Sequence, residues 1–152
     1  TDIVDVPQML IDYFHTTPVV PDTNFIVAGY HLENNIPSQQ IFGLNVRSGI
    51  ITPVDTTAQG AKWDGETQTL SKIIQNTYMR DQTGTEIALG STEVSWGLFT
   101  LQDAIDFAQY AVDVTIKTMH YSNVVETVGG PIDILVIKPD NAFWIQHKEL
   151  HA

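Results

Sequence analysis

The sequence contains no cysteine. Disulfide bonds, a thiolate nucleophile and a cysteine-ligated metal centre are therefore excluded for this chain. It also lacks an apolar run long enough to cross a bilayer and any segment with the pattern of a secretory signal peptide. We therefore expect a cytoplasmic protein that does not act in a membrane.

Basic residues are scarce. Lysine and arginine together number 7 against 18 aspartates and glutamates, which gives a formal net charge of −11 at pH 7. Binding to nucleic acids and to anionic membranes depends on concentrated positive charge. The composition therefore argues against both partners, and solubility is the simplest role of the acidic surface.

The most regular part of the sequence is a predicted long helix that begins at Thr100. Its apolar residues recur at steps of three and four, which is the period of one helix face. Thr100 and Asp103 form a capping-box pattern at its start. A second, narrower stripe runs through Phe107, Tyr110 and Val114. We therefore expect the helix to bury two faces.

A strand is predicted after this helix. Gly129-Gly130-Pro131 breaks the chain, and Ile132–Ile137 is β-branched and almost wholly apolar. Such a run is typical of a strand buried on both sides. Asp133 interrupts it, and a buried carboxylate requires a partner, either in the structure or in a site. A turn at residues 139–141 and a return strand at residues 143–145 complete a predicted hairpin.

The first third of the chain predicts a helix, a strand and a hairpin. Asp5 is placed to cap a helix with Pro7 in its first turn. Asn24–His31 is apolar on both faces, which predicts a strand central in a sheet, and Leu32–Ser38 is interpreted as a polar loop. Residues 40–47 alternate in polarity, and a reversal at residues 48–49 predicts a hairpin with residues 50–54.

The middle of the chain predicts a helix with Leu70, Ile73, Ile74 and Tyr78 on its buried side. Asp64 and Glu66 are placed to cap it. Residues 80–97 resemble a long loop, in which residues 87–89 have the pattern of a short strand. The order helix, strand, hairpin, helix, helix, hairpin favours an α+β fold over a doubly wound parallel sheet.

Three segments resemble the proteasome β-subunit-like N-terminal-nucleophile (Ntn) hydrolases. They are NFIVAGY at residues 24–30, QGAKW at residues 59–63, and TLQDAIDFAQYAVDVTI followed by VGGPIDILVIK at residues 100–116 and 128–138. The last pair resembles the family's T-x-x-E-A helix and the S-G-G strand that follows it. The resemblance implies a four-layer αββα sandwich, of which this chain matches only the later part.

The family's fold begins with strands that carry the nucleophile, a buried Asp and a Lys, and no segment before the first helix resembles them. We therefore expect residues 1–152 to be a single domain that is the C-terminal portion of a longer Ntn hydrolase-like domain. Thr1 is a weak nucleophile candidate. An Ntn nucleophile opens a buried strand, whereas residues 2–7 lead into a helix.

The resemblance also implies a substrate cleft formed by two segments. Its residues are Gly60, Ala61, Lys62, Val128, Gly129 and Gly130. Ala61 and Val128 occupy positions where the family usually has serine, which places proteasome-type proteolysis in doubt. The glycines are explained equally well as turn formers.

Metal and cofactor motifs are weak. His147 and His151 are four residues apart, but they lie near a terminus and belong to no recognised ligand motif. No phosphate-binding loop and no G-x-S-x-G motif occurs, although the sequence leaves Ser-His-Asp catalysis open. We expect neither a metal nor a cofactor.

Two functions follow from the resemblance. The first is a proteasome-like Ntn hydrolase that cleaves amide or peptide bonds with a nucleophile outside this chain, so that the chain alone is inactive. The second is a non-catalytic proteasome-like assembly or protein-binding subunit. Either way we expect a homo-oligomer. An unrelated small α+β binding domain is the third possibility.

Overall fold

The computed structural model describes residues 1–75, 77–90 and 93–149. Within this part of the chain there are three α-helices, one 3-10 helix and seven strands. The strands form small antiparallel sheets, so the predicted α+β class is confirmed. The chain divides into two compact units, one of residues 1–64 and 136–143, and one of residues 65–135 and 144–152. The prediction of a single domain stays a prediction.

The first unit contains a three-stranded sheet. Its strands are β1 (Asn24–Glu33), β2 (Ile36–Asn45) and β3 (Ile50–Pro53), in the order β1-β2-β3. Both neighbouring pairs are antiparallel. The expectation that β1 is central is wrong, because β2 lies between the other two strands. Along β1 exposed and half-buried residues alternate over its first six positions, as on a sheet with one well-covered face.

β1 and β2 are joined by a turn of two residues, Asn34 and Asn35. Their φ angles are 52° and 64°. Two successive residues with positive φ form the primed turn that matches the twist of a hairpin, and asparagine tolerates this conformation. The interpretation of residues 32–38 as a loop is therefore wrong, since all but the two turn residues belong to strands.

The predicted hairpin between β2 and β3 is confirmed. Asn45 pairs with Ile50 at its end, and Gly49 has a φ of 68°, which favours glycine. The Asn45 side-chain oxygen accepts from the Ser48 backbone N–H at 2.9 Å. Pro53 lies on β3, at an edge of the described sheet, where its missing N–H is tolerated.

Helix α1 (Val6–His15) covers one face of this sheet. The core consists of Ile11, Leu44 and Val46, and Val46 has no exposed surface. Phe14 of the helix lies 5.7 Å from the ring of Phe25 on β1. The core is surrounded by half-buried apolar residues, namely Leu10, Phe14, Val20, Phe25, Val27 and Ile51.

The predicted cap of α1 is only partly correct. Asp5 is the N-cap residue and Pro7 lies in the first turn, but the Asp5 side chain makes no capping hydrogen bond. The backbone N–H of Asp5 instead donates to the carbonyl of Asp2 at 3.1 Å. The helix is therefore entered through a backbone turn.

The second unit begins with helix α2 (Gln68–Ile74) and the hairpin of β4 (Thr77–Arg80) and β5 (Glu86–Gly90). Leu70 is buried as predicted. Tyr78 belongs to β4, so its assignment to the helix is wrong. Thr67 is the N-cap of α2, so the expected capping by Asp64 and Glu66 is wrong as well. The short strand predicted at residues 87–89 is confirmed within β5.

Helix α3 (Leu101–Tyr121) confirms the predicted long helix and its cap. Thr100 Oγ1 accepts from the Asp103 backbone N–H at 3.2 Å, and Asp103 Oδ2 accepts from the Thr100 N–H at 2.8 Å. The main apolar stripe is buried only near the C-terminal end of the helix. Leu101 is 50% and Val112 37% exposed, whereas Met119 is 6% exposed.

The last strands are β6 (Ile134–Ile137) and β7 (Ala142–Gln146), which pair as predicted. The connection of four residues requires an antiparallel hairpin. Burial alternates along β6, with Ile134 and Val136 buried and Leu135 and Ile137 exposed. The prediction of burial on both sides is therefore wrong, since only one face of β6 is covered.

No α-helix in the described ranges has the length and apolarity that a bilayer crossing requires.

Candidate functional site

The first predicted cleft segment follows β3 in the first unit. Gly60, Ala61 and Lys62 are exposed and lie outside regular secondary structure. A Cβ atom added at Gly43 would lie 4.0 Å from Lys62 Cε. Gly43 alternates with Leu44 on β2, so the Lys62 stem lies against the sheet face opposite the α1 core.

The second predicted cleft segment lies in the second unit, after α3. Val128 is half-buried, and Gly129 and Gly130 are exposed. Gly130 has a φ of 84°, so this backbone conformation itself favours glycine. Because the two segments belong to different units, a cleft formed by both stays a prediction.

Thr1 is exposed and lies in an irregular segment. The chain turns directly after it, because the carboxylate of Asp2 accepts from the Val4 N–H at 3.2 Å and the Val6 N–H donates to the Ile3 carbonyl at 3.3 Å. Thr1 therefore does not open a strand, in agreement with the argument against it as an Ntn nucleophile.

The turn after Thr1 places a carboxylate beside a histidine of β1. Asp2 Oδ2 lies 2.6 Å from His31 Nδ1. Ile3 packs over Gly29, where an added Cβ would lie only 3.0 Å from Ile3 Cδ1. A side chain at position 29 would require the Ile3 side chain to shift, so Gly29 permits the close approach of Ile3 to β1.

The electrostatics of this pair favour a charged carboxylate. The Val4 backbone N–H, and after it the His31 ring, hold the pKa of Asp2 below its ordinary value. Since an ionised carboxylate only accepts hydrogen bonds, a neutral His31 donates from Nδ1 and keeps the Nε2 lone pair available. Asp2 thereby fixes the orientation of the imidazole through Nδ1.

A second aspartate–histidine pair lies beside β6 and β7. Asp133 Oδ1 accepts from the Lys148 N–H at 2.6 Å and lies 3.3 Å from His147 Nδ1. The Trp144 ring stacks on His147 with centroids 4.3 Å apart. Asp133 precedes β6 and is exposed, so the expectation of a buried carboxylate is wrong, although it is paired.

Within residues 1–75, 77–90 and 93–149, no cluster of three or more histidine, aspartate or glutamate side chains is placed to hold a metal ion. Of the histidine pair His147 and His151, His151 lies outside the described residues.

No sequence pattern points to Asp2 and His31 as a pair. They are 29 residues apart, and neither belongs to a recognised motif. One signal was present. The Asn34-Asn35 pair between two apolar segments is the pattern of a two-residue hairpin turn, and that turn defines which residues of β1 and β2 face each other.

Comparison of this chain with protein-family models, with curated proteins and with solved structures finds no match.

Proposed function

We propose that this chain belongs to a proteasome-like Ntn hydrolase that cleaves amide or peptide bonds. The proposal includes the four-layer αββα sandwich and a cytoplasmic location. The nucleophile is an N-terminal Thr, Ser or Cys outside these residues, activated by its own α-amine. The resemblance assigns substrate contacts to Gly60–Lys62 in the first unit and, separately, to Val128–Gly130 in the second unit, and no cofactor takes part.

One observation supports this proposal most strongly. The helix that matches the family's T-x-x-E-A pattern begins at the matching residue, with Thr100 and Asp103 in a reciprocal capping box. Gly130, in the matching glycine pair, adopts positive φ before β6. A helix start and a glycine turn before a strand thus lie at the two positions that carry the resemblance.

The test starts from the protein purified from its natural source. Its N-terminal sequence and intact mass are determined, and hydrolysis of fluorogenic peptides is measured with and without a reagent that acylates N-terminal nucleophiles. We expect a Thr, Ser or Cys terminus at the start of a strand, and an activity that the reagent abolishes. A natural start at Thr1 without peptide hydrolysis would overturn the proposal.

A second candidate function is a non-catalytic assembly subunit in which α3 contacts a second copy of the chain. The exposed positions of the α3 stripe favour it, since Leu101, Ala108 and Val112 lie on one helix face and are all exposed. Larger exposed apolar patches mark interaction surfaces.

The oligomeric state of the same protein tests this candidate. Light scattering across a concentration series is compared for the wild type, Val112→Asp and the control Lys117→Asp. We expect an oligomer for the wild type and the control, and a monomer for Val112→Asp. A wild-type protein that stays monomeric at high concentration would contradict the assembly function.

A further inference from the structure

The register of β1 and β2 places a serine opposite the histidine that Asp2 orients. His31 pairs with Ser38, two positions beyond Ile36 on β2. Directly opposite residues of an antiparallel pair present their side chains on the same face, with Cβ atoms about 5 Å apart. A carboxylate, an imidazole and a hydroxyl are thus adjacent, in that order.

These groups are reachable from solvent. The side chains of His31 and Asp2 are 30% and 37% exposed, and Ser38 is half-buried. Gln40, the next residue on the same face of β2, donates from Nε2 to Ser38 Oγ at 3.1 Å. Because Gln40 occupies a lone pair of the hydroxyl, the Ser38 O–H hydrogen remains available for donation.

We propose that Ser38, His31 and Asp2 form a hydrolytic site for small carboxylic esters, separate from the cleft of the proposed Ntn hydrolase. Ser38 is the nucleophile and His31 the general base, and Asp2 is a positioning residue that orients the imidazole. The chemistry requires this order of groups and no particular fold.

The reaction proceeds in two halves. Ser38 Oγ forms a bond to the ester carbonyl carbon while its proton passes to His31 Nε2. The bond to the leaving alkoxide then breaks, and the alcohol departs with that proton. In the second half water attacks the acyl-serine, His31 Nε2 takes the water proton, and the acid is released as Oγ regains a hydrogen.

Gln40 supplies a donor for the tetrahedral intermediate, since its side-chain amide has a second N–H beside Ser38. Among the described residues no hydrogen bond joins His31 to Ser38. The attack therefore requires rotation about the Ser38 Cα–Cβ bond, and contacts of this kind often close only with substrate.

The surroundings offer one apolar contact for the acyl chain. Ile36 lies on the same face of β2 as Ser38, two residues away, and is 70% exposed. It offers an apolar surface beside the hydroxyl. No basic side chain occurs in the described contacts of these residues, so an uncharged ester suits the site better than an anionic one.

The full chain is tested with p-nitrophenyl acetate and p-nitrophenyl butyrate as probes. We expect Ser38→Ala to reduce the rate to that of buffer and His31→Asn to lower it at least about 100-fold. His120→Asn is the matched control, because His120 also contacts a carboxylate, that of Glu126, at 3.1 Å. It should keep the wild-type rate.

Asp2 has its own readout. Asp2→Asn should lower kcat and leave KM unchanged. Asp2→Glu should restore part of kcat, because it keeps a carboxylate that can accept from His31 Nδ1 and stabilise a positive charge on the imidazole. Circular dichroism of each variant verifies that it is folded. Equal losses of kcat in both Asp2 variants would overturn the positioning role.

A covalent label gives a result that is independent of the variants. The wild type is incubated with a fluorophosphonate and digested, and the labelled peptide is identified by mass spectrometry. Label on Ser38 supports the proposal. Label on any other residue, or no label, overturns it. The proposed Ntn hydrolase is tested separately, by the N-terminal sequence and peptide hydrolysis of the natural protein, so the two proposals can fail independently.

Discussion

Helices α1 and α3 both carry apolar stripes, but the structure buries them to different extents. Ile11 of α1 packs into a core with Leu44 and Val46 over the three-stranded sheet. In α3, Thr115 and Met119 are buried, but Leu101 and Val112 on the same stripe are exposed. An amphipathic sequence therefore defines which face of a helix can be buried. The area of the surface on which the helix packs decides how much of that face is buried.

The partner surfaces explain this difference. Helix α1 lies on a sheet whose longest strands have ten residues. Helix α3 has 21 residues and extends for about 32 Å. It contacts α2, a helix of 7 residues that extends for about 10 Å. So short an element covers only part of the longer helix.

Truncating one side chain in each region tests this comparison, and we expect it to change the free energy of unfolding more than the other tests do. Leu44→Ala should lower the free energy of unfolding by about 3 kcal/mol, because it leaves a cavity in a closed core. Leu101→Ala should change it by about 0.5 kcal/mol or less, because half of that side chain is already in water. Urea denaturation followed by circular dichroism measures both. A loss at Leu101 as large as that at Leu44 would mean that a partner covers Leu101 in solution.

Helix caps sharpen the comparison within the second unit. Thr100→Ala removes a capping box and should cost about 1 kcal/mol of unfolding free energy. Thr67→Ala is the matched control, because Thr67 caps α2 without a side-chain hydrogen bond. It should cost distinctly less in the same urea experiment. Equal losses of unfolding free energy in the two variants would show that the capping-box hydrogen bonds of α3 add nothing to its stability.

The same cap predicts a small pH effect. The Thr100 side chain, and then its backbone N–H, hold the pKa of Asp103 below the ordinary value of 3.8. A carboxyl group whose pKa is lower in the folded state stabilises the fold above its unfolded value, and this stabilisation is lost as the pH falls through the folded value. The stability gap between the wild type and Asp103→Asn should therefore narrow from neutral pH to about pH 3. Urea titrations at these pH values measure the gap. A difference in unfolding free energy between the wild type and Asp103→Asn that does not change with pH would contradict this prediction.

Several features were predictable because neighbours in sequence determine them. The cap at Thr100, the Ser48-Gly49 reversal and the short strand within β5 each depend on residues within a few positions of one another. The errors have a different origin. Tyr78 continued a helical spacing into a strand, and the Asn34-Asn35 turn was hidden in a segment interpreted as a polar loop. In both cases strand pairing prevailed over the local pattern.

The two candidate sites also differ in whether near neighbours in sequence determine them. The resemblance selected Gly60–Lys62 and Val128–Gly130 from sequence, and whether they share a cleft depends on an arrangement of units that no local pattern encodes. The Asp2 and His31 pair was missed, since a contact across 29 residues has no local signature. The turn at residues 2–6 and the packing of Ile3 on Gly29 accompany this contact.

The sequence by itself determined the α+β class, the acidic surface charge, the start of α3 and the hairpin between β2 and β3. These follow from composition and from interactions between near neighbours. Tertiary structure alone decided that β2 is the central strand, that the α3 stripe is buried only near its C-terminal end, and that His31 contacts Asp2 and faces Ser38. The physical reason is that burial and register are properties of the surface on which a segment packs, and distant parts of the chain supply that surface.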